Sequence, residues 1–338
     1  MNTGMKQKTI KRILSAKFEE FITSIKNDSV KKLVSKNSII TGGSIASMLI
    51  GENVNDFDIY FTNKETVLAV ADYYLKEFMN LKSKTESGVP VGIHVVDWDN
   101  VGSDFQIMEK KQFMIEAGMS EDFYKNRVSY YISSAGVASL EPKKAYEYFE
   151  GQEAGSAGEY IDALVKDKEQ NSDNADAPKY RPVFLSGNAI SLSDDVQLII
   201  RFFGSPEEIH KNYDFAHCTS YWLSSDKKLY TNEKALSSLL AKELSYIGSR
   251  YPVTSVIRTR KFINRGWRIH AGNYLKMCFQ ISELNLYNPI VLEEQLMGVD
   301  IAYFMEVIDA IKKLKLDNND NKIEYTYLAE ILDRIFDK

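Results

Sequence analysis

The stretch "IITGGSIASMLIGENVNDFDIYF", Ile39 to Phe61, limits what this chain can fold into more than any other. It opens with an apolar run, breaks at Gly42-Gly43-Ser44, and ends in a second apolar run that contains Asp56 and Asp58. Strands normally exclude Asp. In a strand, residues i and i+2 point to one face. Asp56 and Asp58 are therefore predicted to project together, with Phe57 and Ile59 turned to the core behind them. Two carboxylates held that close repel unless a cation lies between them. Mg²⁺, or Mn²⁺ in its place, suits such a pair, with phosphates and water completing the shell. Glycines let a ligand approach the backbone. The first turn of a helix opened by Ser44 offers amide groups to phosphate oxygens. Metal bound by Asp56 and Asp58, with a triphosphate on Gly42, Gly43 and Ser44, predicts in-line displacement at an α-phosphate by a two-metal mechanism.

Periodicity fills in the surroundings. The spacing predicts a helix over 8–35, a strand at Ile39–Thr41, a short helix to Ile50, a strand at Phe57–Phe61 and an amphipathic helix at Lys64–Leu81. A strand is expected at Val91–Val96, helix through 103–150, and a flexible loop at Lys168–Pro178, which has almost no apolar side chains. Strands are expected at Arg181–Leu185, Val196–Phe203 and Ala216–Leu223, the first two joined by a loop. "SPEEIH" reads as a short helix with a Ser cap, Pro at its first position and acids in its first turn. Helix dominates from Thr231 onward, and Gly298 reads as a helix cap.

The 338 residues are 44% hydrophobic, enough for a large core. Two cysteines, Cys218 and Cys278, lack metal-site spacing and argue against a disulfide scaffold. No apolar run approaches the length of a membrane span, and no targeting pattern is visible, so the expectation is a cytoplasmic protein without a membrane partner. The Asn-, Lys-, Ile- and Tyr-rich composition fits an AT-rich bacterial or phage genome.

The Gly-Gly-Ser string followed after about ten residues by Asp-x-Asp resembles the signature of the DNA-polymerase-β-like nucleotidyltransferase superfamily. "YDFAHCTSYWLSSDKKLY" and "VIRTRKFINRGWRI" resemble the Arg-Asp-Phe-Thr strand and the neck of its class II CCA-adding enzymes and bacterial poly(A) polymerases. In the second string Arg258, Lys261, Phe262, Arg265, Gly266 and Trp267 match. In the first only Asp214 and Phe215 do. The resemblance implies an α/β (α+β) head with a mixed sheet over 1–230, carrying a large insertion at about 100–180, then an all-helical neck and body over 231–338. It implies an NTP substrate, catalytic Asp56, Asp58 and a third acid, and nucleotide contacts from Arg258, Lys261 and Arg265. Gln197 stands where the third carboxylate is expected. Asp214, Asp195 and Asp97 are the alternatives, Asp214 first. No Glu-Asp-x-x-Arg element, which selects bases in CCA-adding enzymes, is present.

Charge adds a partner. Leu244 to Ser282 contains no acid and carries +7, in a chain whose net charge is −5. A basic segment interleaved with aromatics in an otherwise acidic protein has the composition of a groove for single-stranded or tRNA-end nucleic acid. Arg258, Lys261 and Arg265 share one helical face. Phe262 and Trp267 are expected in the core before they are expected to stack on bases. His217 is expected as a core histidine, and His94, His210 and His270 are assigned no chemistry. Three functions fit: nucleotidyl transfer to an RNA 3′ end, transfer to a protein or small-molecule acceptor, or a module that kept the fold and binds RNA or nucleotide without turnover.

Overall fold

The computed structural model describes residues 4–84, 92–102, 105–132, 137–139 and 178–296. Most of the expected loop at Lys168–Pro178, the expected helix beyond residue 139 and the cap at Gly298 lie outside the described residues. The chain divides into two compact units. The first comprises 1–102, 125–140 and 174–247, and the second 103–124, 141–173 and 248–338.

The first unit opens with α1 (Gln7–Ser24) and α2 (Asp28–Asn37). The single helix expected over 8–35 is therefore two. The Asn27 side chain accepts from the amides of Ser29 and Val30, so it starts a new helix instead of continuing the old one. Then come β1 (Ser38–Thr41), α3 (Gly43–Ile50), β2 (Phe57–Phe61), α4 (Lys64–Lys84) and β3 (Ile93–Asp97). Residues 103–150, expected to be helical, include two strands, β4 (Val128–Ile132) and β5 (Val137–Ser139). Helical spacing there was outweighed by pairing: β4 forms a ladder with β3, and β5 with β6 (Pro182–Ser186). The loop expected between the next two strands contains β7 (Ala189–Leu192), which joins β6 to β8 (Val196–Phe203). A hairpin turn supplies the missing signal, since Asp194 and Asp195 both take φ near +60°.

After β8 come α6 (Pro206–His210), a 3-10 turn at Ala216–Cys218, β9 (Tyr221–Leu223), β10 (Lys228–Tyr230) and α7 (Glu233–Ala241). The strand expected from Ala216 thus begins only at Tyr221. The sheet order is β10-β9-β1-β2-β8-β7-β6-β5, with β2 and β8 parallel and the other pairs antiparallel. This is the expected mixed sheet.

Side-chain alternation gives the sheet two different faces. Ile40, Phe57, Ile59, Phe61, Leu198 and Trp222 pack with α1 and α4 into the main core. Fully burying each such side chain stabilises by about 1.5–3 kcal/mol. The opposite face carries a smaller cluster, Ile39, Tyr60 and Ile209, with Tyr213 and Tyr221 against it.

The described second unit contains α5 (Phe105–Glu116), a 3-10 turn at Glu121–Phe123, α8 (Pro252–Asn264), α9 (Ala271–Ser282) and α10 (Pro289–Leu296). In α8 the string that resembled a neck acts as a helix stop. Gly266 takes φ +80°, the Trp267 amide donates to the Phe262 carbonyl, and the Gly266 amide donates to that of Ile263. The Phe262 and Trp267 rings close the motif 5.8 Å apart. No described helix is long and apolar enough to cross a membrane.

Candidate active site

The site is built where β1 hands over to α3. Gly42 caps α3 in a conformation with φ +94° and ψ −148°, and its side supplies no capping group. Its amide donates to the Cys218 carbonyl, 3.2 Å away. The opening amides of α3 therefore depend on something other than a side-chain cap. A Cβ on Gly42 would lie 3.0 Å from the Asp58 Oδ2 and 3.4 Å from the Tyr213 hydroxyl. A Cβ on Gly43 would meet nothing within 4 Å. Backbone and carboxylate approach this closely only because position 42 has no side chain. Ser44 is buried, and its Oγ has no hydrogen-bond partner among the described residues. A buried hydroxyl without a partner is costly.

Register places the acids. Asp58 lies opposite Thr41 on β1 and beside Gln197 on β8. Thr41 in turn lies opposite Tyr221, and Tyr221 opposite Tyr230. Gln197, Asp58, Thr41, Tyr221 and Tyr230 thus form one row across five strands. They share the face of Ile39 and Tyr60, because registered neighbours point the same way. Asp56 immediately precedes β2, and the Phe57 amide donates to the Asp195 carbonyl at 2.9 Å. Both Asp56 and Asp58 are half-buried.

The expected third acid is not gathered in. Among the described residues no group of three His, Cys, Asp or Glu side chains is placed to hold a metal. The buried Asp214 turns its Oδ1 to the amide of Phe215, at the entry to the 3-10 turn. Asp97 pairs with Lys64 at 2.5 Å and accepts from Asn100. The Lys64 and Asn100 bonds hold its carboxyl below the usual range despite the opposing cost of burial. Gln197 keeps the register position beside Asp58. His217 is buried, as expected of a core histidine, with its ring stacked near Phe215.

Two residues that the sequence left without chemistry join the site. His210 Nε2 lies 2.8 Å from Thr41 Oγ1. Tyr213 stands in the position where the resemblance expects Arg, and its ring lies 5.0 Å from that of His210 and 6.1 Å from that of Tyr60. Burial, then Tyr60 and the Asp58 charge, push the Tyr213 phenol well above its ordinary range. A usable signal was present in the sequence: the predicted helix "SPEEIH" ends on His210, three residues before Tyr213.

Arg258, Lys261 and Arg265 lie in the second unit, exposed along α8 and its cap, with Arg268 and Lys276 also exposed. Trp267 is buried and Tyr274 exposed, so Trp267 belongs to the core.

A family model, Gabija anti-defense 2 family protein, matches residues 12–242. The chain belongs to the Gabija anti-defense 2 family. The match covers the candidate site from Gly42 to Tyr213 and ends before α8. No curated relative matches the chain. Among solved structures, the CCA-adding enzyme of Bacillus stearothermophilus in complex with CTP is similar at a TM-score of 0.35 and 11% identity, over 87% of this chain and 51% of that one. A tRNA-processing enzyme with CTP gives 0.32 and 11%, over 90% and 69%, and a further tRNA-processing enzyme complex 0.33 and 10%, over 91% and 73%. The chain spans about half the length of the first of these. Overlap this loose transfers no activity.

Proposed function

We propose that this chain is a divalent-metal-dependent nucleotidyltransferase that moves NMP from an NTP to a macromolecular hydroxyl, and that its family's anti-Gabija role works through that transfer. The observation that carries the reading is the Gly42 turn, which brings backbone against the Asp58 carboxylate beside the buried Ser44 hydroxyl. The residues present fit a hard cation and a triphosphate. Asp56 and Asp58 supply the oxygen ligands, and the start of α3 supplies phosphate donors. Mg²⁺ or Mn²⁺ held there would neutralise charge developing on the transferred phosphate.

The chain's own groups do the rest. The Gly43 and Ser44 amides and the Ser44 hydroxyl bind phosphate oxygens and fix the triphosphate. The acceptor oxygen forms a bond to the α-phosphorus as the bond to the bridging oxygen breaks, releasing pyrophosphate. The acceptor's proton is taken up by one of the two carboxylates. Gln197, beside Asp58, adds a neutral carbonyl rather than a third charge. In domain terms, the first unit is the catalytic head and the helices from α8 onward a neck and body.

An RNA 3′ end is the first acceptor, supported by the exposed row of Arg258, Lys261 and Arg265. A component of the Gabija system is the second, supported by family membership. The test incubates the protein with Mg²⁺ and each α-labelled NTP, together with total tRNA or purified Gabija proteins, beside an Asp56→Ala/Asp58→Ala control. Label on RNA, absent from the control, is expected for the first acceptor, and label on a Gabija protein for the second. NTP binding without label on either would leave a nucleotide-binding module and overturn the transferase reading.

A further inference from the structure

We infer that His210 is a positioning residue for the candidate site, holding Thr41 and through it the strand end that carries the Gly42 turn opposite Asp58. The inference rests on the nucleotidyl-transfer reading of that site and extends it to a residue that touches neither phosphate nor metal.

Local sequence fixes the histidine. Ser205 accepts from the Glu208 amide while the Glu208 carboxylate accepts from the Ser205 amide, and Pro206 occupies the first helical position. Five residues of helix therefore end at His210 with little freedom. Its ring lies 5.0 Å from Tyr213 and 5.7 Å from Tyr221, centroid to centroid. That leaves Nε2 aimed at the Thr41 hydroxyl, 2.8 Å away.

The Thr41 hydroxyl lies within reach of three partners: His210 Nε2, the Ser220 carbonyl at 2.9 Å and the Cys218 carbonyl at 3.4 Å. A neutral imidazole can donate to the hydroxyl or accept from it, and either way the contact ties the two side chains together. Burial holds the imidazole at about 4, against an opposing pull from Glu207, so it is neutral at neutral pH. Thr41 is fully buried. Its hydroxyl joins α6, β1 and the 216–220 segment, which also receives the Gly42 amide at the Cys218 carbonyl. Thr41 and Asp58 are registered partners, and the next residue, Gly42, lies against the Asp58 carboxylate. A shift of a few tenths of an ångström at Thr41 is transmitted to both.

The experiment measures Mn²⁺–ATP affinity and single-turnover NMP transfer in the full-length protein. His210→Leu removes the hydrogen-bonding group, and His210→Gln restores a donor and an acceptor at similar reach. Thr41→Val removes the hydroxyl without changing shape. We expect affinity and transfer rate to fall about tenfold in His210→Leu and in Thr41→Val, to fall no further in the double variant, and to stay within about twofold of wild type in His210→Gln. Leucine and valine variants that melt lower but bind and react like wild type would make His210 merely structural and overturn the inference. So would a glutamine variant as impaired as leucine, or additive losses in the double variant. If wild type and Asp58→Ala bind Mn²⁺–ATP equally, the transferase reading itself fails and takes this inference with it, a pattern distinct from the other outcomes.

Discussion

Replacing Gly42 by Ala tests the core of the site. At φ +94° and ψ −148° an L side chain is strained, at a cost of about 1–3 kcal/mol. The new methyl would stand 3.0 Å from Asp58 Oδ2, closer than nearly all real contacts of this kind, so the carboxylate must move. The Tyr213 hydroxyl would be a second close contact of the methyl, at 3.4 Å. Together these predict a loss of about 2 kcal/mol or slightly more. Urea unfolding should show a lower midpoint with an unchanged slope. Mn²⁺–ATP affinity should fall at least tenfold, because the displaced group is a proposed metal ligand. Gly43→Ala is the internal control. It is helical, with open space where the methyl would go, so stability should hold or rise by up to about 1 kcal/mol. If Gly43→Ala nevertheless loses nucleotide affinity, phosphate passes over that residue. An unchanged midpoint in Gly42→Ala would refute the argument, since neither strain nor contact would then be real.

His210 titrates at about 4 when folded against 6.5 ordinarily, so both states are neutral above 6.5 and both are charged below 4. Between those limits only the unfolded chain takes up the proton, so stability falls as pH drops, by about 2 kcal/mol after allowing for partial exposure. His210→Gln should flatten that part of the denaturation-against-pH curve, and an unchanged curve would assign the loss to other groups. Asn27→Ala should cost about 1 kcal/mol by thermal or urea unfolding, because it removes the acceptor for two amides of α2. Charge reversal of Arg258, Lys261 and Arg265 together should weaken single-stranded RNA binding and reduce its salt slope by about 2, measured by titration at several salt concentrations. A slope that does not change would remove RNA from this face.

The two-faced strand was legible because alternation is local. Phe57, Ile59 and Phe61 must share a side, so Asp58 had to face the other way with Tyr60. The turn at Gly42, the helix start at Ser44 and the capped α6 were legible for the same reason, since each signal lies within a few residues of what it controls. Strands β4, β5 and β7 were not, because short strands owe their existence to partners distant in sequence. β5, for example, pairs with β6 across 42 intervening residues. The third acid was sought by analogy of position. The register instead places Gln197 beside Asp58 and turns Asp214 to its own backbone.

Local sequence alone fixed the spacing of Gly42, Ser44, Asp56 and Asp58, the charge on the stretch from Leu244 to Ser282, and the Ser cap that opens α6. The assembled fold aligned Thr41, Asp58, Gln197, Tyr221 and Tyr230 in one row and brought His210 across 169 residues to the Thr41 hydroxyl. Helix and strand periodicity act over the reach of a few peptide units. Lateral register and a buried hydrogen bond are chosen by which surfaces exclude water together, and that choice is made by the whole fold.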